Sequence, residues 1–372
     1  MIYLDNAATT GKKPESVINA VRYSLYNLSA NPGRSGHSQS QKASELVYET
    51  RKETAEMFGC GGAENVVFTS NCTHSVNIVL KGVLKKGDHI VISDMEHNAV
   101  MRPLAAVDAD YSVFETSLTD DEITLKNVEK AIKDNTKMIF VTSASNVFGK
   151  ALPIKEIGEI ASKHGILFGV DAAQGAGVIP INMKEMKIDF LCIAPHKGLY
   201  APMGTGILIA GKSIPKTLIE GGTGTESVSF IQPLSVPERF ESGTLNLPGI
   251  AGIRAGIRFV GSRMDKIYAE EMNLIGMLYD SLSMIEGVEL YSPYPDIGKY
   301  VPVLSFNLRD ADSQTVALRL NSLGIAVRGG LQCAPTAHRK CGTIDRGTVR
   351  VSPGYFNTEG DIRRFVSVIK KM

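Results

Sequence analysis

Ile166-Leu-Phe-Gly-Val170-Asp-Ala-Ala-Gln174 and, a little further on, Phe190-Leu-Cys-Ile-Ala194-Pro-His-Lys197 decide the reading of this chain. Each is a short apolar run that breaks into polar residues: Asp171 to Gln174 in the first, Pro195 to Lys197 in the second. Runs of this kind read as buried strands of a parallel sheet. Ligands of such sheets bind beyond the carboxyl ends of the strands, so both polar groups face one crevice. Packing does not account for a lysine there, because lysine is almost never fully buried without a partner. A desolvated lysine has a lowered pKa and serves as an amine nucleophile. An aspartate in the same crevice holds a protonated pyridine nitrogen, and the pair is what pyridoxal phosphate requires. On these two residues alone, a surface lysine and a helix-capping aspartate remain an equal reading.

The rhythm around this stretch is strand, turn and helix, repeated from Glu64 onward. Strands are expected near 66–68, 90–92, 111–114, 138–141, 166–170, 190–193 and 207–209, with helical patterns such as 76–84 and 125–132 between them. That alternation means an α/β fold with a mainly parallel sheet. Pro14 suits the first turn of a helix running through Val17, Val21 and Leu25. Gly59 suits the end of a second helix. The stretch 221–237 loses apolar periodicity and reads as a long loop. Helices follow Gly249, then strands near 288–291, 303–307 and 325–327, and a last helix starting at Thr358 with Asp361 in capping-box spacing. These later elements form a smaller α+β unit.

Composition narrows the class. Of 372 residues, 43% are hydrophobic and 21% charged, and 40 Lys+Arg against 39 Asp+Glu leave a net charge of +1. Such a balance argues against nucleic acid or an anionic membrane as main partner. Five cysteines at irregular spacing do not make a disulfide framework, which points to a reducing compartment. The first residues lack the basic and apolar regions of a signal peptide, and no apolar run reaches the length of a membrane span. A cytoplasmic location is expected.

Val170-Asp-Ala-Ala-Gln174, Ala194-Pro-His-Lys197 and Gly204-Thr-Gly206 together resemble the cofactor site of the class V aminotransferases, pyridoxal phosphate enzymes of fold type I. The branch they are most similar to is the cysteine desulfurase and selenocysteine lyase family. The likeness runs from Tyr3-Leu-Asp-Asn-Ala-Ala-Thr-Thr10 to Arg350. It implies a large cofactor-binding domain over residues 14–255, and a small domain built from 1–13 and 256–372.

The same resemblance assigns roles. Lys197 carries the cofactor, Asp171 holds its ring nitrogen, and His97, in Glu96-His97-Asn-Ala, stacks on the ring and handles protons. Thr73, in Ser70-Asn-Cys-Thr-His-Ser75, and His196 contact the phosphate; a plain helix cap is the alternative for Thr73. Ala194 stands where many relatives place a phosphate-contacting serine. Asn146 and Gln174 reach the cofactor hydroxyl, Asn146 also lying on the substrate-carboxylate side. Arg350 clamps the substrate carboxylate with a planar fork. Thr244, in Phe240-Glu-Ser-Gly-Thr244-Leu-Asn246, reaches the phosphate of a neighbouring subunit, which implies a homodimer with shared sites. Cys333, in Arg328-Gly-Gly-Leu-Gln-Cys-Ala-Pro335, matches the nucleophile that takes sulfur from L-cysteine as a persulfide, for delivery to a thiol acceptor protein.

Other readings stay open at this level. Selenocysteine lyase shares the same chemistry. Gly175-Ala-Gly177 hints at a dinucleotide oxidoreductase, although Pro180 stands where the third glycine would be. A sulfur carrier using Cys333 would not need Lys197, Asp171 and Arg350 together. Cys333, His338 and Cys341 are too few and too irregular for a structural zinc site, so no metal is expected. His338, Arg339 and Cys341 have no role in this reading.

Overall fold

The computed structural model describes residues 1–33, 35–309 and 311–372. The chain opens with strand β1 (Ile2–Tyr3) and helices α1 (Glu15–Asn27) and α2 (Ser38–Phe58). The alternating part follows as β2 (Val66–Thr69), α3 (Cys72–Val83), β3 (His89–Ser93), α4 (Asn98–Val107), β4 (Asp110–Phe114), α5 (Asp121–Ala131), β5 (Thr136–Thr142), α6 (Ile154–Lys163), β6 (Leu167–Asp171), β7 (Phe190–Ile193) and β8 (Gly206–Ala210). Two long helices, α7 (Leu247–Gly261) and α8 (Met264–Ser283), lead into the last part. That part holds β9 (Val288–Leu290), β10 (Leu304–Leu308), α9 (Ser313–Ser322), β11 (Ile325–Ala326), α10 (Pro335–Lys340), β12 (Val349–Val351) and α11 (Glu359–Ile369).

Seven strands form the main sheet in the order β2-β8-β7-β6-β5-β3-β4. All neighbours pair in parallel except β8, which runs against both β2 and β7. Two reversals restore direction, so β2 ends at the same edge as β3, β5, β6 and β7. One apolar core lies on each face of the sheet, with Ile139, Val141, Phe168 and Val170 in one and Met138, Phe140, Phe190 and Cys192 in the other. Burial on both faces is why these strands read as continuous apolar runs rather than alternating ones. A third core joins Leu4, Leu274, Leu278, Leu304, Phe306, Val351 and Phe365, under the three-stranded antiparallel sheet β12-β10-β9.

Local signals mostly hold. Gly59 ends α2 at φ +60° and Thr358 with Asp361 closes the capping box of α11, whereas the cap of α3 is Asn71, accepting from His74 N, and not Thr73. Pro14 departs from expectation: it precedes α1 as its N-cap residue, at ψ 145°, instead of lying in the first turn. Gly175-Ala-Gly177 is not a dinucleotide loop but a crossing point. A Cβ on Gly177 would sit 2.6 Å from the Gly198 carbonyl oxygen, so the loop after β6 is pressed against the turn after β7. That contact brings the two polar groups of the opening stretch together.

Candidate active site

Asp171 is the last residue of β6 and is 3% exposed. Its Oδ1 accepts from Ala173 N at 2.9 Å and from the Cys72 thiol at 3.4 Å. Its Oδ2 has no hydrogen-bond partner among the described residues. Cys72 opens α3, so the helix N-terminus and the aspartate are tied directly. Burial pushes the Cys72 thiol well up, with Asp171 adding to the effect, so Cys72 is a neutral donor.

Lys197 lies in the turn after β7. Its amine makes no hydrogen bond among the described residues, and burial lowers its pKa, against the opposing pull of Asp171. Arg350 and Arg328 lower it further. The turn itself is fixed by the N-terminal segment. The His196 carbonyl accepts from Thr9 Oγ1 at 3.2 Å, Thr10 N at 3.2 Å, Thr10 Oγ1 at 3.1 Å and Lys13 Nζ at 3.0 Å. Lys13 is brought to about 8 by burial. Lys13 lies in no quoted motif, and Cys72, although inside the string quoted for Thr73, had no role assigned to it.

His97 caps α4, its Nδ1 accepting from Ala99 N at 2.9 Å. Burial lowers its pKa, while Asp171 opposes and Lys197, Arg328 and Arg102 add to the lowering. His97 is thus a neutral imidazole in the same field as the lysine and the aspartate. His196 falls to about 4 through burial and the charges of Lys197 and Lys13, and its buried Nδ1 has no partner among the described residues. Thr73, exposed in the first turn of α3, lies at a helix end suited to an anion. Ala194 is buried and offers no hydroxyl.

Arg350, on β12, is 1% exposed. Its Nη1 donates to the Asn146 carbonyl at 2.9 Å and its Nη2 to Asp5 Oδ1 at 2.6 Å, while the buried Nε has no partner among the described residues. Burial lowers its pKa and Asp5 pulls it back up. The Asn146 side chain donates to the Gln332 carbonyl at 2.8 Å, leaving its Oδ1 as the free group. Gln174 Nε2 donates to the Ala7 carbonyl at 3.0 Å, again tying the site to the N-terminal segment.

Cys333 is exposed in the loop between β11 and α10. Its carbonyl accepts from Asn98 N at 2.7 Å, which docks it one residue beyond His97. Arg328 Nη2 lies 3.8 Å from its sulfur. Thr336 Oγ1 donates to the Glu96 carbonyl at 3.1 Å and Lys340 pairs with Asp94 at 3.0 Å, so α10 is fastened along the loop that carries His97. The metal reading of Cys333, His338 and Cys341 has no geometric support, since both ring nitrogens of His338 are engaged by Thr343 and Gln332. Thr244 stands apart from this group. It is exposed, three positions after Glu241, which pairs with Arg51 at 2.5 Å and accepts from Phe68 N at 2.6 Å.

The mainly parallel seven-stranded sheet thus carries an aspartate at the end of β6, a lysine just after β7 and a histidine just after β3. Residues 2–365 match the family model for aminotransferase class-V, and the chain belongs to that family, whose enzymes use pyridoxal phosphate. Among its relatives, a probable cysteine desulfurase of Pyrococcus abyssi is 33% identical over 385 residues, covering 100% of this chain and 94% of the relative. A probable cysteine desulfurase of Methanothermobacter thermautotrophicus is 32% identical, covering 97% of this chain and 92% of the relative. The apo structure of a cysteine desulfurase from Thermococcus onnurineus NA1 superposes with a TM-score of 0.91 at 32% identity, over 100% of this chain and 94% of that one. No helix among the described residues is long and apolar enough to cross a membrane.

Proposed function

We propose that this chain is a pyridoxal-phosphate-dependent cysteine desulfurase, turning L-cysteine into L-alanine and leaving the sulfur on Cys333. The observation that carries the reading is the docking of an exposed cysteine, through its own carbonyl, one residue beyond a His97 that feels the charges of Lys197 and Asp171.

The side chains fit the cofactor. Asp171 Oδ2 is free to accept from a ring nitrogen because Oδ1 is already held by Cys72 and Ala173. His196 Nδ1 is a buried polar atom lacking a partner, and a phosphate would supply one. Thr73 and the first turn of α3 would complete the phosphate site, and Gln174 and Asn146 would face the ring hydroxyl. Pyridoxal phosphate bound there supplies an electron sink that weakens the bonds at the substrate α-carbon.

The protein's own groups do the rest. Arg350 receives the substrate carboxylate through its unpartnered Nε. Lys197, its amine made less basic by burial, is the nucleophile that holds the cofactor and then the base that takes the α-proton. Neutral His97, whose Nδ1 accepts from Ala99 N, carries its hydrogen on Nε2 and donates there to the substrate sulfur. Cys333 Sγ forms a bond to the substrate sulfur as the carbon–sulfur bond breaks; the carbon keeps the electron pair, takes up a proton and leaves as alanine. The thiolate of an acceptor protein then bonds to the outer sulfur, carrying it off as a persulfide of its own, while the bond to Cys333 Sγ breaks and Cys333 leaves as a thiolate. A homodimer belongs to this reading, with Thr244 turned toward a neighbouring subunit's phosphate. Val228, Phe230, Ile231 and Leu234, exposed on the same long segment, support it as surface awaiting cover.

Alanine formation from L-cysteine, together with mapping of the persulfide by mass, tests the proposal. Lys197→Ala should lose the visible absorbance of the bound cofactor. Cys333→Ala should keep it and still respond to cysteine, yet make little alanine. Stoichiometric nicotinamide or flavin in the purified protein, or a persulfide on Cys341, would overturn it.

A further inference from the structure

We infer that Gln332 and His338 form a clasp that sets the pose of Cys333, making both of them positioning residues for its thiol. The inference rests on the proposed role of Cys333. Gln332 and Cys333 are consecutive non-glycine residues in the left-handed region, at φ +42° and +59°. Such a conformation persists only where the surroundings over-determine it. Cys333 brings no packing of its own, since its side chain is exposed. The constraint therefore lies in its neighbour.

Gln332 is 2% exposed and fully engaged. Its Nε2 donates to the Thr348 carbonyl at 2.9 Å and the Arg328 carbonyl at 3.3 Å. Its own carbonyl accepts from Asn146 Nδ2 at 2.8 Å. Its Oε1 lies 3.0 Å from His338 Nε2. An amide oxygen only accepts, so His338 Nε2 must carry the hydrogen. Nδ1 of the same ring is then an acceptor and takes the Thr343 hydroxyl hydrogen across 2.7 Å. His338 is fully buried beside Phe148, at 5.8 Å between ring centroids, and burial brings it down to about 4. The ring is thus neutral and held in one tautomer near neutral pH.

The clasp also joins the thiol to the substrate site, because Asn146 holds Gln332 with its side chain and Arg350 with its carbonyl. A nucleophile whose reach is set by its backbone is sensitive to displacement. Moving it by about 1 Å costs on the order of a hundred-fold in rate.

Glycine and alanine at position 332 separate this role from ordinary support of α10. Both remove the side chain, but only glycine adopts φ +42° without penalty. Persulfide formation on Cys333 should fall more in Gln332→Ala than in Gln332→Gly, with kcat lowered and KM for cysteine unchanged. His338→Ala should lower kcat about ten-fold or more in the natural background, a partial loss of that positioning, and change little further in Gln332→Gly, since coupled residues are not additive. The spectral response to L-alanine should stay as in the natural protein throughout. The rate of Cys333 with a neutral maleimide requires no cofactor and should follow the same ranking. It separates the two ideas: if the natural protein makes no persulfide, the desulfurase reading falls, while the maleimide ranking still decides the clasp. Gln332→Gly as damaging as Gln332→Ala or more so, or additive losses in His338→Ala and Gln332→Gly, would overturn it. Should His338→Ala fail to fold, the glycine–alanine ranking alone decides.

Discussion

Replacing Arg350 by lysine should weaken substrate binding selectively at the carboxylate. The guanidinium makes three separable commitments: Nη2 to Asp5, Nη1 to the Asn146 carbonyl, and a buried Nε with nothing to hold. One ammonium nitrogen on a flexible stem keeps the Asp5 pair and forfeits the planar fork. A hydrogen bond between charged groups contributes about 1.5–3 kcal/mol. At about 1.4 kcal/mol per factor of ten, losing the Nε bond weakens carboxylate binding roughly ten- to a hundred-fold. The cost to folding should be smaller than that of breaking a fully buried pair, because the Asp5 side chain is 21% exposed and water can reach it. L-Alanine, the product, serves as a ligand that does not turn over, and the visible band of the loaded protein reports its binding. The natural protein should prefer alanine over alanine methyl ester, and Arg350→Lys should lose that preference. Alanine binding within about three-fold of the natural protein would refute the reasoning, since even the weakest charge-assisted bond is worth more.

Three further outcomes follow from other contacts. Cys72→Ala removes one of the two donors to Asp171 Oδ1, so cofactor affinity measured by equilibrium dialysis should fall a few-fold, about 0.5–1.5 kcal/mol, and Cys72→Ser should restore it. Glu271, buried against the Tyr200 hydroxyl, is raised from 4.5 to about 8 by burial, so the folded protein keeps a proton that the unfolded chain loses. Stability from this group is full below the unfolded value and is lost as pH rises toward about 8; urea midpoints across that range should fall less in Glu271→Gln than in the natural protein. Glu241→Ala strands the 8%-exposed Arg51 side chain and leaves Phe68 N without its acceptor, and should cost about 3–5 kcal/mol in urea unfolding.

How far the sequence reveals the molecule depends on the distance over which each interaction acts. The strands of the main sheet could be read to within a residue or two, and β7 to the residue, because in the inner strands burial on both faces leaves an unbroken apolar run that only a turn can end; the edge strand β4 is largely exposed. The caps at Gly59 and Thr358 are equally local. Helix α10 left little trace, being six residues long and opening on a proline. Its His338 looked idle because its hydrogen-bonding partner Gln332 has the composition of a loop residue. Cys72 resembles any small apolar core residue until it is seen beside Asp171, 99 positions away in the chain.

The N-terminal segment shows the same limit most clearly, and also why the site needs both ends of the chain. Tyr3 to Thr10 could be recognised only as a string resembling a family, with no work assigned to its parts. In the folded protein Asp5 pairs with Arg350 across 345 positions, and the Ala7 carbonyl holds Gln174. Thr9, Thr10 and Lys13 converge on the His196 carbonyl. A carbonyl oxygen has two lone pairs, so these donors, with Thr10 N, over-supply it. Loss of any one hydroxyl leaves the others in place, which makes the turn carrying Lys197 tolerant of single substitutions in the segment. Arg350 has no such redundancy on its acidic side, where among the described residues Asp5 is the one carboxylate paired with a guanidinium that is 1% exposed. The segment therefore holds the lysine by many weak contacts and the arginine by one strong one, and Asp5 is the position at which it bears most directly on substrate binding.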